Sequence, residues 1–291
     1  MRRLPAGLAC LVVLVALSGC AGPDQRAVRS RSANGAAAAA STAAAGPGAA
    51  PVKQRGTHLS GHNLNLAVYY LRSFKGRRYL APEWHPVPYT RAVAAAAVGE
   101  LLGGRPLCPG SRRPFPEGAR LRGVSVEGGT ATVDLSASAL RVPAGRAERW
   151  PLQALVHTLT QFPTVRRVLV RVEGRAVDQP LARDPGLPVA PIALAEPTPG
   201  AQVKGHRLVV KGEASVYEGT VGLRLRDDHG QIMAQAYATA AQGASRRGPF
   251  SGALTFTPPA TSHSWTLEAF EVSPESGRIV YALQVPVWVG R

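Results

Sequence analysis

Of the 291 residues only three are cysteine, and Cys10 and Cys20 lie in or at the end of a short apolar run near the N-terminus. Cys108 is alone in the body, so no internal disulfide staples the chain and stability must come from packed cores. The sequence has no Gly-x-Ser-x-Gly elbow, no His-Glu-x-x-His, no Walker loop and no Gly-x-Gly-x-x-Gly, and Cys108 has no histidine close by. An enzyme needs a nucleophile, a base and a stabiliser that converge in a cleft. With no such constellation, the expectation is a non-enzyme: no catalytic residue, no metal ligand and no cofactor. Acidic residues are scarce too, 18 against 34 Lys and Arg, for a net charge of +16. No apolar run reaches the ~20 residues that a membrane span requires.

The N-terminus nevertheless carries an address. Arg2 and Arg3 precede an apolar stretch, Leu8 to Leu17, of signal-peptide length. The junction Leu17-Ser18-Gly19-Cys20 resembles the bacterial lipobox, in which the cysteine thiol takes a diacylglycerol and signal peptidase II then cleaves before it. Residues 1–19 are therefore expected to be a lipoprotein signal peptide and Cys20 the lipidation site. That places the protein on the extracytoplasmic face of the cell membrane, anchored by at least two acyl chains. Residues 20–62 contain Ala36–Ala40, Ala43–Ala45 and Gly46-Pro47-Gly48 with almost no large apolar side chains. Such a segment cannot bury enough surface to offset its ordering entropy. It is expected to be a disordered tether spanning on the order of 35 Å, from ~5–6 Å × √n. His58 and His62 have a zinc-helix offset but flank a Gly-punctuated stretch, so no metal is assigned to them.

Periodicity begins at Asn63. Leu64, Leu66, Val68 and Tyr70 alternate with smaller or polar residues as a half-buried strand through Leu71. A second strand is expected over Arg77–Glu83, broken by Pro82, Pro86 and Pro88. Thr90 is expected to cap a helix over Arg91–Leu102, stopped by Gly103-Gly104. The Pro- and Arg-rich loop Arg105–Gly118 follows, then strands Ala119–Val126 and Ala131–Leu135 joined through Glu127-Gly128-Gly129-Thr130. Asp134 is expected to accept hydrogen bonds from nearby loop amides. A second helix is expected over Glu148–Phe162, with Leu152, Leu155, Val156, Leu159 and Phe162 on its apolar face, and a strand over Val165–Glu173. His157, Thr158 and Thr160 lie among the helix's apolar rows, with a hydroxyl capping a carbonyl as the default. The order describes an α+β domain of sheet and helices over residues 63–178. This segment carries +9 of the charge and residues 179–291 only +1. An Arg-rich, Ala/Gly/Pro-rich composition of the kind GC-rich genomes encode accounts for part of that charge.

The run Leu155-Val156-His157-Thr158-Leu159-Thr160-Gln161-Phe162-Pro163-Thr164-Val165, continuing to Val172-Glu173-Gly174, resembles the signature of the sporulation and spore germination (GerMN) domain. Pro116–Leu121, Val133-Asp134-Leu135-Ser136 and Leu101–Gly104 fit it as well. The resemblance implies an extracytoplasmic, non-catalytic module of envelope assembly, with no catalytic residues to carry over.

A Pro- and Gly-rich linker, residues 179–190, precedes seven expected strands: Ile192–Ala195, Arg207–Ala214, Gly219–Arg226, Ile232–Thr239, Phe250–Thr257, Ser264–Val272 and Ile279–Val289. With almost no helical period, residues 191–291 are expected to form an all-β sandwich. Trp265, Phe256, Phe250, Tyr237 and Tyr281 are expected to fill its core. Asp227-Asp228-His229-Gly230 is expected to be a hairpin turn, which accounts for its residues without a metal. Pro197–Gly200, Val216–Val221, Gly248-Pro249-Phe250 and Val285-Pro286-Val287 resemble the immunoglobulin-like domain of bacterial spore germination proteins, often found beside the GerMN domain.

Together these readings point to a lipid-anchored protein acting in envelope or spore assembly or germination by binding envelope proteins or anionic wall polymers. The alternative is a general envelope lipoprotein accessory to a sensor or transporter in a non-sporulating bacterium. No nucleic acid is expected as a partner, because export removes it. Arg112, Arg113, Arg166, Arg167 and Arg171 are the expected basic binding surface.

Overall fold

The computed structural model describes residues 59–60, 63–139, 149–243 and 246–290. The expected signal peptide, Cys20, most of the tether, His58 and His62 lie outside the described residues.

In the first region β1 (Leu59–Ser60), β2 (Asn63–Phe74) and β3 (Arg77–Pro88) pair in that order, and β4 (Ser111–Arg112) adds to β2. A second sheet runs β5-β6-β7-β8, from Leu121–Glu127, Thr130–Leu135, Arg167–Val172 and Arg175–Ala176. The helices α1 (Val93–Gly103) and α2 (Arg149–Leu159) both touch β2; α1 also packs on β5 and α2 on β7, so they tie the two sheets together. The alternation read in β2 is real: Leu64, Leu66, Val68 and Tyr70 are buried beside Val98, Leu101, Leu155 and Leu159 in one core. β6 and β7 are parallel, with α2 as the crossover between them, and β5 joins β6 through Gly128 and Gly129 at φ of 55° and 82°.

Two expectations about this region are corrected. β3 does not break at its prolines but continues to Pro88. Leu80 turns its backbone away from β2, donating to Pro188 O at 2.9 Å and accepting from Ala190 N at 2.8 Å. Pro82, Pro86 and Pro88 share that parity, so their missing N–H groups face away from β2 and no ladder bond is lost. Helix α1 starts at Val93 rather than Arg91, and Thr90 does not cap it; its hydroxyl accepts from Ala92 N at 3.1 Å instead.

The second region has two sheets. The larger runs β10-β16-β15-β12-β13, from Ala201–Lys204, Ile279–Gly290, His263–Val272, Thr220–Arg226 and Ile232–Thr239. The smaller runs β14-β11-β9, from Gly248–Thr255, Arg207–Ala214 and Ile192–Glu196. Val210, Leu223, Leu225, Leu254, Trp265, Leu267 and Val287 share its core. The seven expected strands are present. The eighth, β10, is a four-residue strand between turns that pairs parallel to β16, too short to show a period.

Trp265, Phe256, Phe250 and Tyr281 are buried as expected, but Tyr237 is 63% exposed. It lies on the outer side of the edge strand β13, whose inward residues are alanines. A Cβ built on Gly252 of β14 would come within 2.9 Å of Ala238 Cβ and 2.7 Å of Leu223 Cδ1, so the strands approach too closely there for an aromatic.

The two regions fall within one compact unit. The β2–β3 hairpin reaches the sandwich: Tyr79 and Ala81 are buried in the second core rather than the first. Tyr281 meets Tyr79 and Phe74 with ring centroids 5.2 and 5.6 Å apart, and Lys75 Nζ donates to Ile279 O at 2.7 Å. Residues between β8 and β9 are fastened along the way. Leu181 exchanges two 2.8 Å backbone bonds with Val168. Gln153 holds Ala182 O and Asp184 N, and Leu187 is buried in the first core.

Candidate functional site

Of the five arginines expected to form a basic surface, Arg112 lies on β4 and Arg113 just after it, beside β2. Arg166, Arg167 and Arg171 lie just before or on β7, in the other sheet. Arg113 is paired with Glu117 at 2.7 Å. Arg166 and Arg167, both exposed, come together with Gly128, Gly129 and Thr130 around a cleft of about 330 Å³. Arg171 sits further along β7, opposite Asp134. Asp134 behaves as read, accepting Gly174 N at 2.9 Å, and it also takes Arg122 Nε at 3.2 Å.

The loop after α1 is fastened from within. Glu83, 3% exposed, accepts Leu107 N at 2.5 Å and Cys108 N at 3.2 Å, while Arg72 Nη1 donates to Pro109 O at 2.8 Å. His85 lies between carboxylates, with Nδ1 2.8 Å from Glu100 Oε1 and Nε2 3.7 Å from Glu83 Oε2. Burial first, then the nearby Glu83 charge, push the Cys108 thiol up to about 12, so it stays protonated at neutral pH and is a poor nucleophile. Among the described residues no group of three His, Cys, Asp or Glu side chains is arranged to hold a metal ion. The Asp227–Gly230 segment is a turn: Asp227 Oδ1 accepts His229 N and Gln231 N, at 3.0 and 2.7 Å.

The third place lies where the two regions meet. A cavity of about 230 Å³ is lined by Tyr69, His157, Arg183, Val189, Pro191, Ser215 and Arg247. His157 is 4% exposed, and neither ring nitrogen has a hydrogen-bond partner among the described residues. Its ring centroid lies 5.0 Å from that of Tyr69. Burial, followed by the Arg183 and Arg247 charges, lowers its pKa to about 4, so the imidazole is neutral at pH 7. Sequence reasoning passed over this site. His157 sat in an apolar helical row, and Arg183 and Arg247 lie in segments with no period to align them.

An α+β region of two helices and two sheets thus precedes an all-β region with a curled sheet. Residues 67–178 match the family described as sporulation and spore germination, and residues 191–278 match the immunoglobulin-like domain of bacterial spore germination. The two matched segments follow one another along the chain, the sporulation and spore germination match first, and neither family is known to be catalytic. Among curated proteins none matches. Among solved structures, the tandem GerMN domains of the sporulation protein GerM from Bacillus subtilis are similar at 23% identity and TM-score 0.40. That match covers 47% of this chain and 50% of that one, so this chain spans half the length of its relative. The first GerMN domain of the same protein matches at 25% identity and TM-score 0.33, covering 43% of this chain and 91% of that one.

Proposed function

We propose that this protein is a non-catalytic, lipid-anchored extracytoplasmic protein that acts in envelope or spore assembly, or in germination, by binding envelope proteins or anionic wall polymers. The observation that carries the reading is the tandem order of the two matched domains, both linked to sporulation and germination. The lipobox-like junction at Cys20 supports the anchor, and the positive charge of residues 63–178 supports an anionic partner. Deletion of the gene, scored for spore formation and germination with crosslinking of the anchored protein, tests it. A defect together with a crosslinked envelope partner is expected; a normal phenotype with no partner would overturn it. Cys20→Ala is expected to move the protein from the membrane to the soluble fraction.

A further inference from the structure

We propose that the cavity between α2 and the sandwich is a binding site for a phosphate group. Arg183 and Arg247 enter it from different chain segments, one between β8 and β9 and the other just before β14. Among the described residues neither guanidinium is paired with a carboxylate. Arg183 donates its Nε to Thr160 Oγ1 at 2.7 Å, and Arg247 donates to the main-chain oxygens of Glu213 and Ala190. The neighbouring carboxylate, Asp184, is already engaged by Gly186 N and then by Arg149, which hold its pKa below the usual carboxylate range. Among the residues that line the cavity the two arginines carry positive charge and none carries a carboxylate.

His157 adds a direction. A buried imidazole with both nitrogens unpartnered costs free energy that a bound group accepting its N–H would recover. Donors thus approach from three segments: α2, the stretch after β8 and the stretch before β14. A planar carboxylate meets one bidentate donor well, whereas a tetrahedral phosphate presents oxygens in several directions at once. Of the lining residues Arg183 is exposed and His157 buried, so the donors run from solvent toward the core. In a protein read as envelope-bound, the group has two sources: free phosphate, or the phosphodiester of a glycerol-phosphate polymer. The choice between these sources rests on the proposed function; the site itself does not, and binding in vitro stands or falls irrespective of the deletion phenotype.

The test is thermal denaturation of the full chain in inorganic phosphate, or in poly(glycerol phosphate), against sodium chloride at equal ionic strength. Wild type is expected to gain about 3 °C at roughly ten times Kd. R183Q and R247Q are each expected to lose most of that gain. The source is whichever probe saturates at the lower concentration. Imidazole NMR of the unmodified protein is independent of the variants' folding, and the His157 ring resonances are expected to move with phosphate and not with chloride. A wild-type Tm equal in phosphate, polymer and chloride, a gain undiminished in R183Q, or unmoved His157 resonances would overturn the proposal.

Discussion

Arg72, Glu83, His85, Gln153, His157 and Thr158 are buried in the first region, whereas the second buries Glu268 alone among its described polar side chains. The difference follows from how each is tied. In the first, buried polar groups clasp main chain far away in sequence: Thr158 takes Tyr69 N, Gln153 holds Ala182 and Asp184, and Glu83 holds the loop after α1. In the second, strand ladders satisfy the backbone, and Glu268 is held across neighbouring strands by Arg224, Arg226 and Gln284. The first region presents buried polar groups such as His157 at the cavity, and the second adds Ser215 and Arg247 to its lining. Their meeting place, between Tyr79, Tyr281 and the arginines, is where the proposed phosphate site lies.

The comparison breaks most readily at Tyr281. It is 1% exposed and packs on Phe74 and Tyr79 of the other region. Tyr281→Ala is expected to cost about 4 kcal/mol in urea denaturation, the usual range for a large buried aromatic, and to separate one transition into two. Next comes pH. The His157 pKa, about 4 folded against 6.5 for the free group, means the unfolded chain binds a proton that the native one does not. Stability from this group is complete above pH 6.5, falls as pH drops from there toward 4, and is gone below that. The loss is on the order of 3 kcal/mol. His157→Gln is expected to flatten that part of the profile, measured by denaturation at pH 7.5 and 4.5.

A smaller effect sharpens the contrast within the first region. Glu83→Leu leaves the N–H groups of Leu107 and Cys108 without their acceptor, at a cost of about 2 kcal/mol. Thiol labelling of Cys108 is expected to accelerate at least several-fold. The smallest effect belongs to the second region's surface. Lys211 and Glu196 pair at 2.9 Å but are each about half exposed, so Lys211→Ala is expected to change stability by less than about 0.5 kcal/mol.

Alternation made β2 and most of the sandwich strands legible, because each has one buried face and one wet one. Taking proline as a strand breaker is what ended β3 too early. Proline forbids a ladder bond only where its nitrogen faces a partner, and that parity is set by β2, not by β3's own residues. Tyr237 was misassigned because aromatic character is local, while the closeness of β14 that makes β13 line its inner face with alanine is not. The Gly128-Gly129 turn was readable because its partners are near in sequence, whereas Asp134 was readable from its place at a strand's end, its partner Gly174 lying 40 positions away. The cavity was not, since its charges lie 26 and 90 positions from His157 in stretches that carry no pattern.

The two regions are fastened into one body at the seam that carries the cavity. Differential scanning calorimetry of the full chain tests it most directly. The prediction is a single transition whose calorimetric and van't Hoff enthalpies agree. Two resolved transitions, one for each region, would contradict it.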